Sequence, residues 1–326
     1  MEEIPTTNKF KNFDIVAYHS DHHHHFDRSS GDSITENPNS EAYKRIMKEW
    51  ETLEQNLPES IYVHVYDNRI DLMRAAIIGA AGTPYHDGLF FFDIAFPSDY
   101  PHNPPKVHFI SFRLSLNPNL SVNGEVSMSL LNTGETSDNG ERWDPPVSTV
   151  LQVLVSLQEH VLNEKPYFND PGKAKLRSVD GDSSRAYNEQ VYLLTCRLTT
   201  HLLLSPPRNF ITFVIGHFRN RAPAILSALK EYANGRVSVG NYGRAASSLR
   251  AKVSPEFMVS PEFMEQAREF YYPALRNLFM FCEASLDVSF LSWYSLSKRQ
   301  SGNHRGIKMW GMFKKLIKVI KSDLSG

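Results

Sequence analysis

Cysteine is nearly absent: the chain carries two, Cys196 and Cys282, in 326 residues, far apart and without CxxC spacing. Neither a disulfide framework nor a paired-thiolate zinc site is expected from them, and a reducing, intracellular setting is the simpler reading. Net charge is equally scarce. At −1, with 35 Lys and Arg against 36 Asp and Glu, the chain has no global field that would draw it to nucleic acid. Apolar runs are short as well: no stretch of about 18 apolar residues occurs, and MEEIPTTNKFKNF at the start lacks the apolar core of a signal peptide. A soluble protein of cytoplasm or nucleus is expected, unless its tail attaches it to something. What the chain does have is core material. Hydrophobic residues at 41% and charged residues at 22% fall in the globular range, and the length allows one compact domain plus a sizeable extension.

Residues 1–38 are polar, contain the run His22 to His25 and lack sustained periodicity, so they read as a flexible N-terminal arm. Imidazoles in such a run could bind a divalent metal, but in a flexible polar arm the reading assigns no metal site, and no cofactor is expected elsewhere. From Ser40 the pattern changes. Tyr43, Ile46, Met47, Trp50, Leu53 and Leu57 recur at helical spacing, with Pro58 as a stop signal. Strand-like segments follow near Ile61–Tyr66, Arg74–Ile78, Leu89–Phe96 and Lys106–Ile110, separated by turn-rich pieces such as Gly82-Thr83-Pro84 and the proline cluster at 97–105. A helix followed by a strand meander implies an α+β domain.

After Pro105 the chain is mostly irregular until Ser148, apart from a short extended piece at Val126–Leu131, and long structureless stretches in compact domains are usually functional or disordered. Val150, Leu151, Leu154, Leu157, Val161 and Leu162 then mark a second helix, capped by Ser148 or Thr149. Beyond Gly172 the pattern is helical only, with helices expected at Tyr187–Leu204, Asn209–Phe218, Pro223–Asn234 and Pro261–Ser285. VSPEFM occurs in tandem at Val253–Met258 and Val259–Met264, too short a unit for a solenoid, and reads as a loop insertion. The organisation expected is an arm over 1–38, a core domain with its first following helix over 39–204, a helical extension over 205–300 and a basic amphipathic tail over 301–326. Within that tail, 307–324 sets Trp310, Phe313 and Ile317 against Lys308, Lys314 and Lys318. Docking on its own domain is the commoner use of such a helix, and an anionic membrane surface the other.

One segment is more specific. Phe96-Pro97-Ser98-Asp99-Tyr100-Pro101-His102-Asn103-Pro104-Pro105-Lys106-Val107 resembles the FPxxYPxxPPKV signature of the ubiquitin-conjugating (E2) family. Prolines that fix φ and lack a donor interrupt sheet pairing, so the piece is expected to be a rigid loop between two strands. Leu116-Asn117-Pro118-Asn119-Leu120-Ser121-Val122-Asn123-Gly124-Glu125-Val126-Ser127 then resembles the family's His-Pro-Asn, Asn-Gly and Cys segment, with Ser127 standing, without a gap, where the family keeps its thioester-forming cysteine. Trp143, Pro145, Ser148, Thr149 and the Leu151–Gln158 run match the tryptophan-proline loop and the next helix, and Asn169-Asp170-Pro171 resembles the family's Asp-Pro element. The motifs cover about residues 40–175. LNPNL, SLLNT, LNEKPYFN and YNEQVYLLTCRL resemble the large conjugating enzymes, with an insertion after the nucleophile and a helical extension. The resemblance implies the ubiquitin-conjugating (UBC) fold: an N-terminal helix, a four-stranded antiparallel meander and C-terminal helices.

It also implies a reaction in which a cysteine thiolate accepts the C-terminus of ubiquitin from an activating enzyme and yields it to a lysine. A thiol ionises near pH 8.5 and a hydroxyl near water's value of about 15.7, a gap of roughly 7 units or ~10 kcal/mol. A positioned general base recovers only about 3–5 kcal/mol. Serine hydrolases close such a gap with a His-Asp pair and an oxyanion hole together, and no such trio is evident: His102 falls in the proline loop and His108 in a strand. The expectation is therefore a family protein impaired for thioester formation that binds ubiquitin or a ligase. The alternatives are a transferase that takes ubiquitin as an oxyester on Ser127, and an interaction module tethered by its tail. By resemblance Asn119 would stabilise the oxyanion or order the loop, and Asp170 would position the incoming lysine or simply cap a helix. Ubiquitin, an activating enzyme and a RING-type ligase are the partners implied. The ligase would grip residues around Lys44, Lys48, His102, Asp144 and Pro145, although His102 stands where small family members carry an apolar anchor. Cys196 and Cys282 sit in apolar helical contexts and are expected to be inert.

Overall fold

The computed structural model describes residues 10–27, 37–133, 142–176, 181–242 and 259–284. Helix α1 spans Glu41–Asn56. Its N-cap Ser40 accepts from the Tyr43 N–H, and it buries Ala42, Ile46, Trp50 and Leu53 on one face before the chain turns extended at Leu57, ahead of Pro58. Ile46 and Leu53 are wholly buried, and burial of such side chains stabilises by about 1.5–3 kcal/mol each.

The sheet has five strands in the order β1 (Phe13–Val16), β2 (Ile61–Tyr66), β3 (Leu72–Ile78), β4 (Leu89–Ala95) and β5 (Lys106–Phe109). Strands β2 to β5 form the expected antiparallel meander. Its register places Val63, Ala75, Phe92 and Phe109 side by side in one row and His64, Arg74, Asp93 and His108 in the next. Because side chains alternate between faces, the first row belongs to the apolar core shared with α1, and the second lies on the opposite face. That opposite face is buried too: Arg74 is fully covered, Asp93 and His64 nearly so. Strands buried on both faces lose the alternating pattern.

What covers the second face corrects the expectation for the arm. Residues 10–27 are packed: β1 pairs in parallel with β2, and His22 and His24 are buried. The periodicity rule failed because the segment attaches by strand pairing and by polar partners, neither of which requires a periodic apolar pattern. The piece expected to be extended at Val126–Leu131 makes only a single bridge, Leu120 to Val126, and then a 3-10 turn at Ser129–Leu131.

Helix α2 (Val150–Ser156) starts at Thr149 with a reciprocal capping box to Gln152, and continues as a π turn over Leu157–Val161. After a 3-10 turn at Pro166–Asn169 and the short α3 (Pro171–Ala174), the extension is built from α4 (Gly181–Leu204), α5 (Ile211–Ala233), α6 (Pro261–Gln266) and α7 (Tyr272–Ala284). Two helices were expected where α5 is one, running through Pro223. A proline costs an interior helix about 3 kcal/mol, and here buried Phe213, Val214 and Phe218 before it and Ile225, Leu229 and Tyr232 after it hold both halves in place. The second VSPEFM copy is no loop: Ser260 caps α6 and Pro261 takes its first position. The first copy, the tail over 301–326 and the side chain of Cys282 lie outside the described residues. Among the described residues no helix is long and apolar enough to cross a membrane.

Candidate active site

The segment Leu116–Ser127 is fixed by asparagines. Asn117, 1% exposed, donates from Nδ2 to the Tyr85 hydroxyl at 2.8 Å and to the Val161 carbonyl at 2.7 Å. Its Oδ1 accepts from the Asn119 N–H at 2.9 Å and from Asn169 Nδ2 at 3.3 Å. Tyr85 in turn donates to the Leu116 carbonyl at 3.0 Å, and Asn169 donates to Val161 at 3.0 Å and accepts from Asn163 at 2.7 Å. One buried amide therefore uses all its capacity to join the 116–120 turn to the loop that ends in Asn169 and Asp170.

Ser127 is clamped to Asn119 in both directions. The Ser127 N–H donates to the Asn119 carbonyl at 2.9 Å, and Asn119 Nδ2 donates to the Ser127 carbonyl at 2.7 Å. The Asn119 amide is thus bonded to the backbone at position 127. Gly124 makes the approach: its φ of +92° is glycine territory, and a Cβ there would run into the His108 ring. The half-buried Ser127 side chain donates from Oγ to the Thr133 carbonyl at 3.2 Å. Thr133 Oγ1 itself donates to the Val126 carbonyl at 2.7 Å, closing the loop around Ser127. Among the described residues neither an imidazole nor a carboxylate accepts from Ser127 Oγ. A carbonyl oxygen cannot take the proton as a base.

Asp170 caps α3, accepting from the Gly172 N–H at 2.9 Å, and Lys173 Nζ lies 3.3 Å from its Oδ2. The same ammonium sits 4.7 Å above the Tyr167 ring. Cap and ammonium partner coexist in one carboxylate, and the asparagine chain connects its neighbour Asn169 to Asn119 and Ser127. Cys196 is buried, and burial pushes its thiol up to about 12.

The residues expected to meet a ligase sit on three pieces tied by one buried carboxylate. Glu49 of α1, 1% exposed, accepts from the Tyr100 hydroxyl of the proline loop at 2.8 Å, from the Val150 N–H of α2 at 2.9 Å and from Arg45 Nε at 3.1 Å. Arg45 also donates to the Ser148 carbonyl at 2.6 Å, and the Trp143 indole N–H to the Pro101 carbonyl at 2.6 Å. Around this clamp Lys44, Lys48 and Asp144 are exposed and Pro145 is half-buried. His102 is exposed, with Nε2 3.6 Å from Glu41 Oε2. Sequence reasoning missed three residues. Glu49 carried a signal, an acid inside the apolar stripe of Ile46, Trp50 and Leu53. Asn117 carried none, and Val147, apolar and 63% exposed in the tryptophan-proline loop, showed nothing unusual in sequence.

The ubiquitin-conjugating enzyme family model matches residues 45–195. The chain is 41% identical over 304 residues to the putative ubiquitin-conjugating enzyme E2 39 of Arabidopsis thaliana, covering 86% of this chain and 93% of that protein. It is 47% identical over 228 residues to the probable ubiquitin-conjugating enzyme E2 25 of the same plant, covering 69% of this chain and 37% of that protein. Against four of the longer plant relatives the chain spans only 22% to 41% of their length. A solved structure of human ubiquitin-conjugating enzyme E2 G1 aligns at 30% identity and a TM-score of 0.33, over 37% of this chain and 94% of that one.

Proposed function

The chain belongs to the ubiquitin-conjugating enzyme family, and on that premise we propose that Ser127 stands in the nucleophile's position, leaving a protein impaired for thioester formation. It acts in the ubiquitin pathway by binding ubiquitin, an activating enzyme or a ligase on a retained scaffold. The observation that carries this reading is the reciprocal Asn119–Ser127 clamp, whose hydroxyl is directed at the Thr133 carbonyl and not at a base. Ionising a serine there is harder than ionising a cysteine by roughly 10 kcal/mol, and among the described residues no base accepts from Oγ to offset it. Asp170 and Asn119 are proposed to keep the family's acceptor side, because an ammonium already pairs with Asp170. Lys44, Lys48, His102, Asp144 and Pro145, with Val147 added, form the proposed ligase face, and Glu49 sets its geometry.

The test is charging with an activating enzyme, ATP and ubiquitin, for the native chain and for Ser127→Cys, run on gels with and without reductant. A reductant-sensitive adduct only in Ser127→Cys is the expected result. An adduct on the native chain that survives thiol and is lost with hydroxide would replace this reading with an oxyester transferase. No adduct on either chain would remove position 127 from the reaction centre.

A further inference from the structure

The described residues around the outer sheet face hold seven histidines, His19, His22 to His25, His64 and His108, and the Ser127 chemistry uses none of them. We infer that residues 10–27 form a strap held shut by neutral histidines, so that mild acidification lifts it and uncovers the row His64, Arg74, Asp93 and His108 while the rest of the fold stays intact. This inference is independent of the reading of Ser127.

Two contacts require an uncharged ring, and a third tolerates at most one charge. His22 is buried, with Nε2 2.9 Å from the Met73 carbonyl and Nδ1 accepting from the His24 N–H at 3.2 Å. Nε2 must donate and Nδ1 must accept, so a second proton on Nδ1 would face an N–H and break the turn that seats the strap. His23 of the strap stacks on His108 of β5 with centroids 3.4 Å apart and planes within 5°. Two cationic rings at that distance repel. Among the described residues neither nitrogen of His64 has a hydrogen-bond partner, and the ring lies between Phe10 of the strap, 5.3 Å away, and Phe210 of the extension, 4.0 Å away. A charge there would be buried and unpaired.

The surrounding charges do not rescue the protonated forms. Burial is the largest influence on His22 and lowers it to about 4; Asp93 acts upward, Arg74 and His24 downward. His108 is held near 4 by burial and then by His23, with His24 acting the same way and Asp93 and Glu125 opposing. His64 falls to about 4 by burial, Asp14 opposing and Arg74 adding. His23 is lowered by burial and His24 against Asp93 and Asp27, and His19 by burial, His25 and Arg69 against Asp71 and Asp67. A base whose value is depressed on docking takes up a proton on release. Strap attachment is therefore complete above about pH 6.5 and is lost as pH falls toward 4. The strap also makes ionic contacts, which its lifting breaks. Arg74 donates to Asp21 Oδ2 at 3.0 Å and to the Asp21 carbonyl at 2.9 Å, and the His23 N–H donates to Asp93 at 2.7 Å. Asp93 is held below its usual range: burial pushes it up, but the hydrogen bonds and charge of Arg74 outweigh this, so it stays ionised.

The experiment is amide hydrogen exchange of the full chain at about pH 7 and about pH 5, each rate divided by its intrinsic rate. Each such histidine is expected to raise strap opening by about 20-fold between those values. Peptides over 12–25 should lose protection by that factor or more, while β3 and β4 keep theirs. His64→Phe retains the stacked ring and removes its nitrogens. It should leave the strap docked at neutral pH and reduce the pH ratio by about 20-fold. The ring protons of His22, His64 and His108, followed by NMR in the native chain, should titrate well below 6.5. Strap protection that is unchanged by acid, loss of β3 and β4 protection in step with the strap, an undiminished ratio in His64→Phe, or ordinary histidine titration would each overturn the inference.

Discussion

Asn117 is the residue on which the candidate site depends. It satisfies donors and acceptors from three separate segments, through Tyr85, Asn119, Val161 and Asn169. Asn117→Ala removes four hydrogen bonds, although the Tyr85 hydroxyl, the Val161 carbonyl and Asn169 each keep another partner, and each lost bond costs about 1 kcal/mol. A total drop of at least ~3 kcal/mol in urea-unfolding stability is expected, and the background of Ser127→Cys should lose its charging as the 116–127 segment slackens. Ser127→Ala is the contrasting case. Among the described residues its hydroxyl makes one hydrogen bond, to Thr133, so stability should change by no more than about 1 kcal/mol. A larger effect would mean that Oγ has a structural role.

Among elements, the joint between α1, the proline loop and α2 rests on Glu49. Removing one partner from a buried ion pair costs about 3–5 kcal/mol. Glu49→Gln should fall in that range by denaturant unfolding and should speed exchange of the Trp143 indole proton, because the charge facing Arg45 is gone and an amide oxygen cannot serve both Tyr100 and the Val150 N–H, which bond different carboxylate oxygens. A second joint docks the extension on the core. Asp87, at φ 65° in the turn before β4, accepts from His86 Nδ1 at 2.9 Å and from Arg221 of α5 at 2.7 Å, while the His86 ring reaches the Tyr232 hydroxyl at 2.9 Å. Asp87→Asn suits the left-handed turn and removes the charge. We expect faster exchange in α5 with β2 to β4 unchanged; unchanged α5 protection would assign the docking to apolar contact alone. The third joint is Ser260, which caps α6 and gives its N–H and hydroxyl to Glu189 of α4 at 2.9 and 2.6 Å. That explains why the second repeat copy is helical.

The molecule as a whole should respond to acid in two stages. The strap lifts while the histidines protonate. Asp93 and Asp87 are both held below 3.8, where burial alone would raise them, by Arg74 for the first and by His86 and Arg221 for the second. Their stabilisation is present above the unfolded value of 3.8 and is lost as pH falls through the lowered folded values. Thermal unfolding of the folded body should therefore shift little between about pH 7 and pH 5 and fall steeply below about pH 4. A single acid transition near pH 6 would show instead that the strap and the core unfold together.

The chain order alone determined α1, the meander, the start of α2 and the serine at position 127, because helix periodicity, proline stops, capping residues and motif spacing are all local. It also determined that Cys196 would be buried in an apolar helix. Only the tertiary structure decided what the polar stretch before residue 28 does, since strand pairing joins residues 50 apart and the Arg74–Asp21 ion pair residues 53 apart. It likewise decided that Pro223 lies within one helix, that Asn117 links two loops and that Glu49 links three. Partnership of a buried polar group is set by whatever the fold brings opposite it, and no pattern of neighbours along the chain encodes that.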